Sequence, residues 1–426
     1  MSELLDEKGR PVVVITGIGV VTPLGQGKDD NWQALTSGTS GITQITRFST
    51  EGLSTKIAGS VDCIAVDPLS CQSLALALAT ESAMEAIAQS EIGSKGSFPG
   101  PLFLATPPAE LEWMQRKELY THQPDDTAKG YTRMLNAART GKFTDMYNMF
   151  QYGSIGDHLA DHFGTSGQPI SLSTACASGA SAIQLGVEAI RRGDTGAALC
   201  IGTDGSVHVE TLVRFSLLSA LSTQNEFPAK ASKPFSKNRD GFVMSEGSAA
   251  FVFESYENAR SRGAKILGVV RGCGERADNF HRTRSKPDGS ANIGAIHNAL
   301  NDASVSIDEI DYVNAHGTST PENDKMEFLA LKAVFGDRLP DIPVSSNKSM
   351  IGHTLTAAGA IEAAFSILTI ATGVIPPTIN CDIPDPDIHL DLVPNIKRST
   401  PVNMVLSDSF GFGGQNVCLV LGAEPT

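Results

Sequence analysis

Basic residues are in short supply in this chain: 33 Lys and Arg stand against 47 Asp and Glu, a net charge of -14 over 426 residues. That balance repels phosphate backbones and anionic bilayers, so neither nucleic acid nor a membrane is an expected partner. Paired cysteines are missing as well. The seven thiols, Cys63, Cys71, Cys176, Cys200, Cys273, Cys381 and Cys418, include no Cys-x-x-Cys, which argues against a zinc knuckle or a redox dithiol and leaves most of them as buried thiols. The opening Met-Ser-Glu-Leu-Leu-Asp-Glu-Lys lacks the basic-then-apolar order of a signal peptide, so a cytoplasmic location is expected. Only one long apolar stretch exists, Leu355 to Pro377. It carries Glu362 and ends at Pro376-Pro377, as a buried helix followed by a turn would. No low-complexity linker separates two hinged units.

What the chain does contain is alternation. Val12 to Ile15 reads as a buried strand stopping at Thr16-Gly-Ile-Gly, Cys71 to Ile92 has helical spacing, and Leu102 to Ala105 is a second buried strand. Ala182 to Arg192 continues a helix that Gly193 stops, and Ala197 to Ile201 is a further strand. The expected class is α/β with helices on both faces of the sheets. Ile170-Ser-Leu-Ser-Thr leads to Cys176 and Ile342-Pro-Val-Ser-Ser to Lys348, each six residues on, and each before a Gly/Ala-rich helix. A weak internal duplication follows: an N-terminal half of residues 1–263 and a C-terminal half of 264–426, sharing a cleft. Residues 107–150, with Trp113, Tyr120, Tyr131 and Tyr147, break the pattern as a helical excursion over the core.

The chemistry lies in short Gly/Ser/Thr stretches at the ends of apolar runs. Cys176, in Thr174-Ala-Cys-Ala-Ser-Gly, sits where a helix begins, and a helix N-terminus favours the thiolate and offers free amides to an oxyanion. A small buried thiol fits the same residues equally well. His316 in Asn314-Ala-His-Gly-Thr-Ser-Thr-Pro and His353 after Gly352 can each donate a hydrogen bond to a carbonyl oxygen; a loop-capping imidazole is the plainer reading. Lys348 is poorly placed for exposure, and Glu362, inside an apolar helix, needs a partner; the two are expected to pair. In Ser409-Phe-Gly-Phe-Gly-Gly, glycines around two aromatics allow a loop to swing a ring across a pocket, or simply make a hairpin turn.

These motifs, in this order, resemble the beta-ketoacyl-acyl-carrier-protein synthases of the elongating type I/II branch, and so do Val13-Val-Ile-Thr-Gly-Ile-Gly-Val-Val-Thr-Pro-Leu-Gly and Lys233-Pro-Phe-Ser-Lys-Asn-Arg-Asp-Gly-Phe-Val. The resemblance covers nearly the whole chain. It implies the thiolase fold: two similar halves with five-stranded mixed sheets, layered helix-sheet-helix-sheet-helix, in a homodimer. It implies a decarboxylative condensation that extends an acyl chain by two carbons, with substrates carried on the pantetheine of acyl carrier protein and with no metal or other cofactor. Cys176 would take the acyl group, the amides of Cys176 and Phe410 would form the oxyanion hole, and His316 and His353 would hold malonyl thioester and stabilise the enolate. Lys348 with Glu362 would orient the cluster. Thr318 and Thr320 would bind pantetheine beside Gly411, and Phe410 with Phe412 would gate the site.

Some residues depart from the family pattern. Gly202-Thr-Asp-Gly205 stands where Gly-Gly-Ala-Glu is typical, Asp408 where Asn is usual, and residues 107–150 replace a Gly-rich stretch. The last of these points to an unusual acyl preference. An acidic carrier protein needs a local basic patch on an acidic enzyme, and His281-Arg-Thr-Arg-Ser-Lys286 supplies Arg282, Arg284 and Lys286. His158 and His162, four apart, lack the Glu and third ligand of a metal site and read as surface or dimer-seam residues. A cysteine hydrolase would need no second donor His, and a non-condensing partner subunit would acylate without condensing.

Overall fold

The computed structural model describes residues 4–94, 96–122 and 127–424. Eleven strands form the path of one mixed sheet: β1 (Val13–Thr22), β2 (Leu102–Ala105), β3 (Ile170–Leu172), β4 (Ala197–Asp204), β5 (Gly247–Ser255), β6 (Gly268–Ala277), β7 (Tyr312–Asn314), β8 (Pro343–Ser345), β9 (Asp391–Leu392), β10 (Met404–Phe410) and β11 (Gln415–Gly422). Their order is β9-β8-β7-β10-β11-β6-β1-β5-β4-β2-β3. Read outward from the centre, β1-β5-β4-β2-β3 and β6-β11-β10-β7-β8 are the same five-strand arrangement. Within each, the outer strands run parallel and the inner ones antiparallel. The short strand β9 adds a sixth member to the second set. The two sets are not separate sheets: β1 pairs antiparallel with β6 through Val13, Val14 and Ile15, so hydrogen bonding is continuous from one half into the other.

Five helices complete the layers: α1 (Cys71–Ser90), α2 (Ser178–Arg191), α3 (Ser290–Ala303), α4 (Pro321–Phe335) and α5 (Ala358–Thr372). Strand periodicity decides which face meets which helix. On β4, Leu199 and Ile201 join Ala75, Ala79 and Ala83 of α1, whereas Ala198 and Cys200 join Ile183 and Val187 of α2. On β11, Leu419 and Leu421 enter the same central core, whereas Cys418 and Val420 face Ala295 and Ala299 of α3. Helices α2 and α5 therefore form the middle layer between the two five-strand sets, with α1 on one outside and α3 and α4 on the other. Their Gly/Ala composition has a packing reason. A Cβ at Gly179 would lie 2.5 Å from the Ala360 nitrogen, and one at Gly359 would lie 2.7 Å from that of Ala180.

The first strand differs from the sequence expectation. It does not stop at Gly17 but runs on to Thr22, with a register shift between Ile15 and Gly17. The glycines answer to α1 rather than to a loop: a Cβ at Gly17 would sit 2.0 Å from the Ala86 carbonyl oxygen, and one at Gly19 would sit 1.9 Å from that of Ser82. The apolar stretch after Leu355 is a short turn, Leu355–Ala357, followed by α5, and 78% of its 18-residue window is buried inside the fold. The excursion is helical, with segments Trp113–Thr121, Gly130–Ala138 and Thr144–Met149; residues 123–126 lie outside the described residues.

Candidate active site

Cys176 stands four residues beyond β3, just ahead of α2. Ala175 takes a left-handed φ of 50°, a bend that turns the chain sharply between strand and helix and presents the sulfur at the helix entrance. His316 follows β7 by two residues. Its amide and that of Gly317 donate to the Glu327 carboxylate at 2.6 and 2.8 Å, and the Ser346 hydroxyl donates to the Gly317 carbonyl at 2.7 Å, so the loop is tied to α4 and to the end of β8. His353 lies beyond β8 on the turn after Gly352. Its amide donates to the Val243 carbonyl at 2.7 Å, and its carbonyl accepts from the Ser245 amide at 2.9 Å.

These three loops converge. His353 Nε2 is 3.1 Å from Cys176 Sγ, and one donor-type atom from each of Cys176, His316 and His353 lies within 4.8 Å of the others. The imidazoles meet edge to face, with ring centroids 5.3 Å apart. Behind them Lys348, fully buried, pairs with Glu362 and also points its ammonium at His316 Nδ1, 3.2 Å away. An ammonium has only protons to give, so Nδ1 is the acceptor and the proton of the neutral ring sits on Nε2. Lys348 thereby fixes the His316 tautomer. The expected Lys348–Glu362 pair is present, with this second contact in addition. Asn314 secures the surroundings by donating to Asn347 Oδ1, the Glu362 carbonyl and Ser366 Oγ, each at 3.0 Å.

Burial, the Lys348 cation and His353 hold His316 well below the usual imidazole range; burial and Lys348 do the same to His353. Both rings are neutral at physiological pH. Burial raises Glu362 to about 7, opposed by Lys348. Cys176 departs from expectation. Burial pushes its thiol up to about 11, outweighing the Phe412 amide that hydrogen-bonds the sulfur and the favourable Lys348 charge. Cys176 rests as a thiol, because removing the sulfur from water costs more than the helix entrance returns.

Phe410 and Phe412 differ in placement. Phe410 is the buried last residue of β10, packed in the C-terminal core with its ring 6.0 Å from that of His316. Phe412, two residues on in the hairpin turn, is half-buried, bonds the sulfur through its amide, and turns its ring toward Phe215, 6.4 Å away. The amide at the sulfur is therefore that of Phe412, which lies in the turn, and not that of Phe410, which is held within the strand.

A cavity of about 30 Å³ lies at Cys176 between His316, His353, Phe215, Phe242, Leu355 and Phe412. Through Thr320, Asn323 and Phe412 it adjoins an open cleft of about 470 Å³. The Thr318 and Thr320 hydroxyls, 2.9 Å apart, face this passage, and Gly411 lines the cleft. A Cβ at Gly411 would lie 3.0 Å from the Thr174 carbonyl oxygen, close to the nucleophile turn. Arg284 also lines the cleft, and the Arg282 carbonyl accepts from the Gly413 amide at 2.8 Å. Lys286 instead pairs with Asp288 at 2.8 Å. The residue types of Phe215, Phe242 and Leu355 gave no signal in sequence beyond apolarity; only the tertiary contacts place them at the sulfur. His158 and His162 lie exposed on the helix Ser154–Phe163, away from this cluster.

Known proteins share this arrangement. The beta-ketoacyl synthase N-terminal domain matches residues 10–90 and 120–259, and the beta-ketoacyl synthase C-terminal domain matches 267–382. The ketoacyl synthase alpha subunit of the tetracenomycin polyketide synthase of Streptomyces glaucescens is 38% identical, over 96% of each chain. The 3-oxoacyl-[acyl-carrier-protein] synthase 2 of Coxiella burnetii is 37% identical, over 97% of this chain and 99% of that one. Among solved structures, a type II polyketide ketosynthase in complex with its acyl-carrier protein superposes with a TM-score of 0.87 at 32% identity, covering 97% of this chain and all of that one. A beta-ketoacyl synthase from Burkholderia phymatum gives 0.85 at 29% identity, over 97% and 99%. The layered halves described above are the thiolase fold of these enzymes.

Proposed function

The chain belongs to the beta-ketoacyl synthase family of acyl-transferring condensing enzymes, and from that premise we propose how its own residues divide the reaction. As a 3-oxoacyl-carrier-protein synthase it joins an acyl group to a malonyl unit with loss of carbon dioxide. The observation that carries the assignment of roles is the convergence of one thiol and two neutral imidazoles in a single buried cavity.

In the first half-reaction the Cys176 sulfur attacks the acyl thioester as its proton is released to solvent. The tetrahedral oxyanion sits against the amides of Cys176 and Phe412, and the departing pantetheine sulfur takes up a proton from solvent. In the second, malonyl thioester enters past Thr318 and Thr320, and its carbonyl oxygen faces the N–H groups of both imidazoles. Carbon dioxide leaves, its bonding electrons pass into an enolate that the two donors stabilise, and the enolate carbon attacks the acyl carbonyl on Cys176. The carbon–sulfur bond breaks and the sulfur regains a proton. Per cycle, one acyl donor, one malonyl carboxylate and one proton give a 3-oxoacyl product, carbon dioxide and a free carrier thiol. Neutral rings suit the task, because they donate to an enolate without protonating it. Lys348 keeps the His316 proton on the useful nitrogen. No metal or organic cofactor takes part in this scheme.

Arg284, which lines the cleft, and Arg282, whose carbonyl accepts from the Gly413 amide beside it, would receive an acidic carrier protein; Lys286 is partly neutralised by Asp288. Among the described residues strand β3 ends the sheet with an unpaired edge, and Ile170 on it is exposed, which suits a strand-paired homodimer. The excursion sets the acyl preference: Glu112, Trp113 and Met114 wall a cavity of about 610 Å³ beside Val209, on the helix Val209–Leu217 that carries Phe215 to the sulfur. Incubation with malonyl-carrier protein and a ladder of acyl donors, followed by product masses, tests the reading. A 3-oxoacyl product two carbons longer than its donor supports it, and a maximum among the long donors supports the role given to the excursion. Free fatty acid would indicate a hydrolase, and a standard medium-to-long profile would remove the excursion from specificity.

A further inference from the structure

Asp204, the last residue of β4, is a fully buried carboxylate that the reaction above does not use. Its Oδ1 accepts the Ser206 amide at 2.9 Å; its Oδ2 accepts the Thr356 amide at 3.1 Å and shares the Thr356 hydroxyl, 2.7 Å away, with the Thr203 carbonyl, also at 2.7 Å. Among the described residues no ion pair holds it. Thr356 lies three residues past His353, in the turn Leu355–Ala357 that leads into α5. Between them, Leu355 takes a left-handed φ of 47°. That conformation is strained for a leucine, so the turn must be held from outside.

Two anchors hold it, and both belong to the other half. Upstream, the backbone of His353 is bonded to Val243 and Ser245. Downstream, Asp204 grips Thr356. The carboxylate also meets the amino end of the helical run from Leu355 to Thr372, where free amides favour negative charge and where neither Thr354 nor Ala357 caps with its own side chain. The side chain thus fixed, Leu355, walls the cavity at the sulfur with Phe215 and Phe242.

We infer that Asp204 is a positioning residue: it clamps the Leu355 turn, so that His353 Nε2 stays at Cys176 Sγ and Leu355 closes the acyl end of the cavity. The kinetic part of this inference rests on the condensation reading; the geometric part does not. The charge has a second consequence. Of the ionised groups that act on the sulfur, Lys348 favours the thiolate while Asp204 and Glu362 oppose it, and the two imidazoles stay uncharged. Asp204→Asn removes one opposing charge and sets an NH2 against a donor on one side.

The test uses Asp204→Asn, Thr356→Val and Thr356→Ser in the full-length protein, with two readouts. Iodoacetamide alkylation, followed by the mass of the Cys176 peptide across pH, needs no substrate; wild-type reactivity should rise through neutrality without a plateau. Asp204→Asn should shift that profile to lower pH by about 0.5–1 unit and lower kcat by about 10–100-fold with KM for malonyl-carrier protein nearly unchanged. Thr356→Val keeps the amide but loses the hydroxyl; it should lower kcat by roughly 3–10-fold without moving the alkylation profile, and Thr356→Ser should restore wild-type behaviour. Wild-type kcat and an unmoved profile in Asp204→Asn would overturn the inference. If that variant does not fold, wild-type kcat in Thr356→Val would do so. Wild-type protein that makes no 3-oxoacyl product would fault the condensation reading instead, while the alkylation shift would still judge Asp204.

Discussion

The two halves present the same strand at the same place, and then diverge. After β3 the chain needs only four residues to reach Cys176 and passes directly into α2. After β8 it makes the single turn Lys348–Ile351, then Gly352 and His353, and begins α5 only at Ala358. The neighbouring strands differ likewise: β2 runs into the excursion, whereas β7 runs into His316. On the reading proposed above, one scaffold is thus used twice, for a nucleophile in the first half and for a cation and two hydrogen-bond donors in the second. On that reading the pocket needs both because the acyl group must be held while the enolate is made beside it.

Removing one half's contribution at a time should separate those duties. Cys176→Ala should lower 3-oxoacyl formation by at least about 10³-fold yet leave carbon dioxide release from malonyl-carrier protein measurable, since that step uses the second half. His316→Ala should abolish both. Equal loss of carbon dioxide release in the two variants would erase the division. The ion pair behind the donors comes next in size. Lys348→Met leaves Glu362 buried without its counter-charge and should cost about 3–5 kcal/mol of stability, read as a drop in Tm. Adding Glu362→Gln should recover most of the Tm but not the activity. The smallest effect belongs to the rim: Arg282→Glu with Arg284→Glu should raise KM for the carrier substrate by roughly 3–10-fold at low salt, with a smaller effect at high salt. An unchanged KM would take both residues out of the docking surface.

Where periodicity and chemistry agree, the sequence was readable. Strand Leu102–Ala105, the helices from Cys71 and Ala358, the Lys348–Glu362 pair and the meeting of Cys176, His316 and His353 all carry strong local signals: apolar runs, a buried acid needing a cation, and glycine beside each histidine. Where long-range packing decides, it was not. Gly17 and Gly19 look like a loop until α1 is seen to press on them, and Phe410 and Phe412 are indistinguishable until the strand end is known to fall between them. The protonation state of Cys176 depends on how completely its surroundings exclude water, and that is a property of the whole fold.

The most direct measurement of the central claim is a single turnover. Cys176 is acylated with an unlabelled donor, malonyl-carrier protein carrying carbon-13 throughout its malonyl group is added, and products are weighed. A 3-oxoacyl-carrier protein containing two labelled carbons, with the third released as labelled carbon dioxide and Cys176 returned to the free thiol, is the expected result. An acyl group that stays on Cys176, or leaves it as free acid, would contradict it.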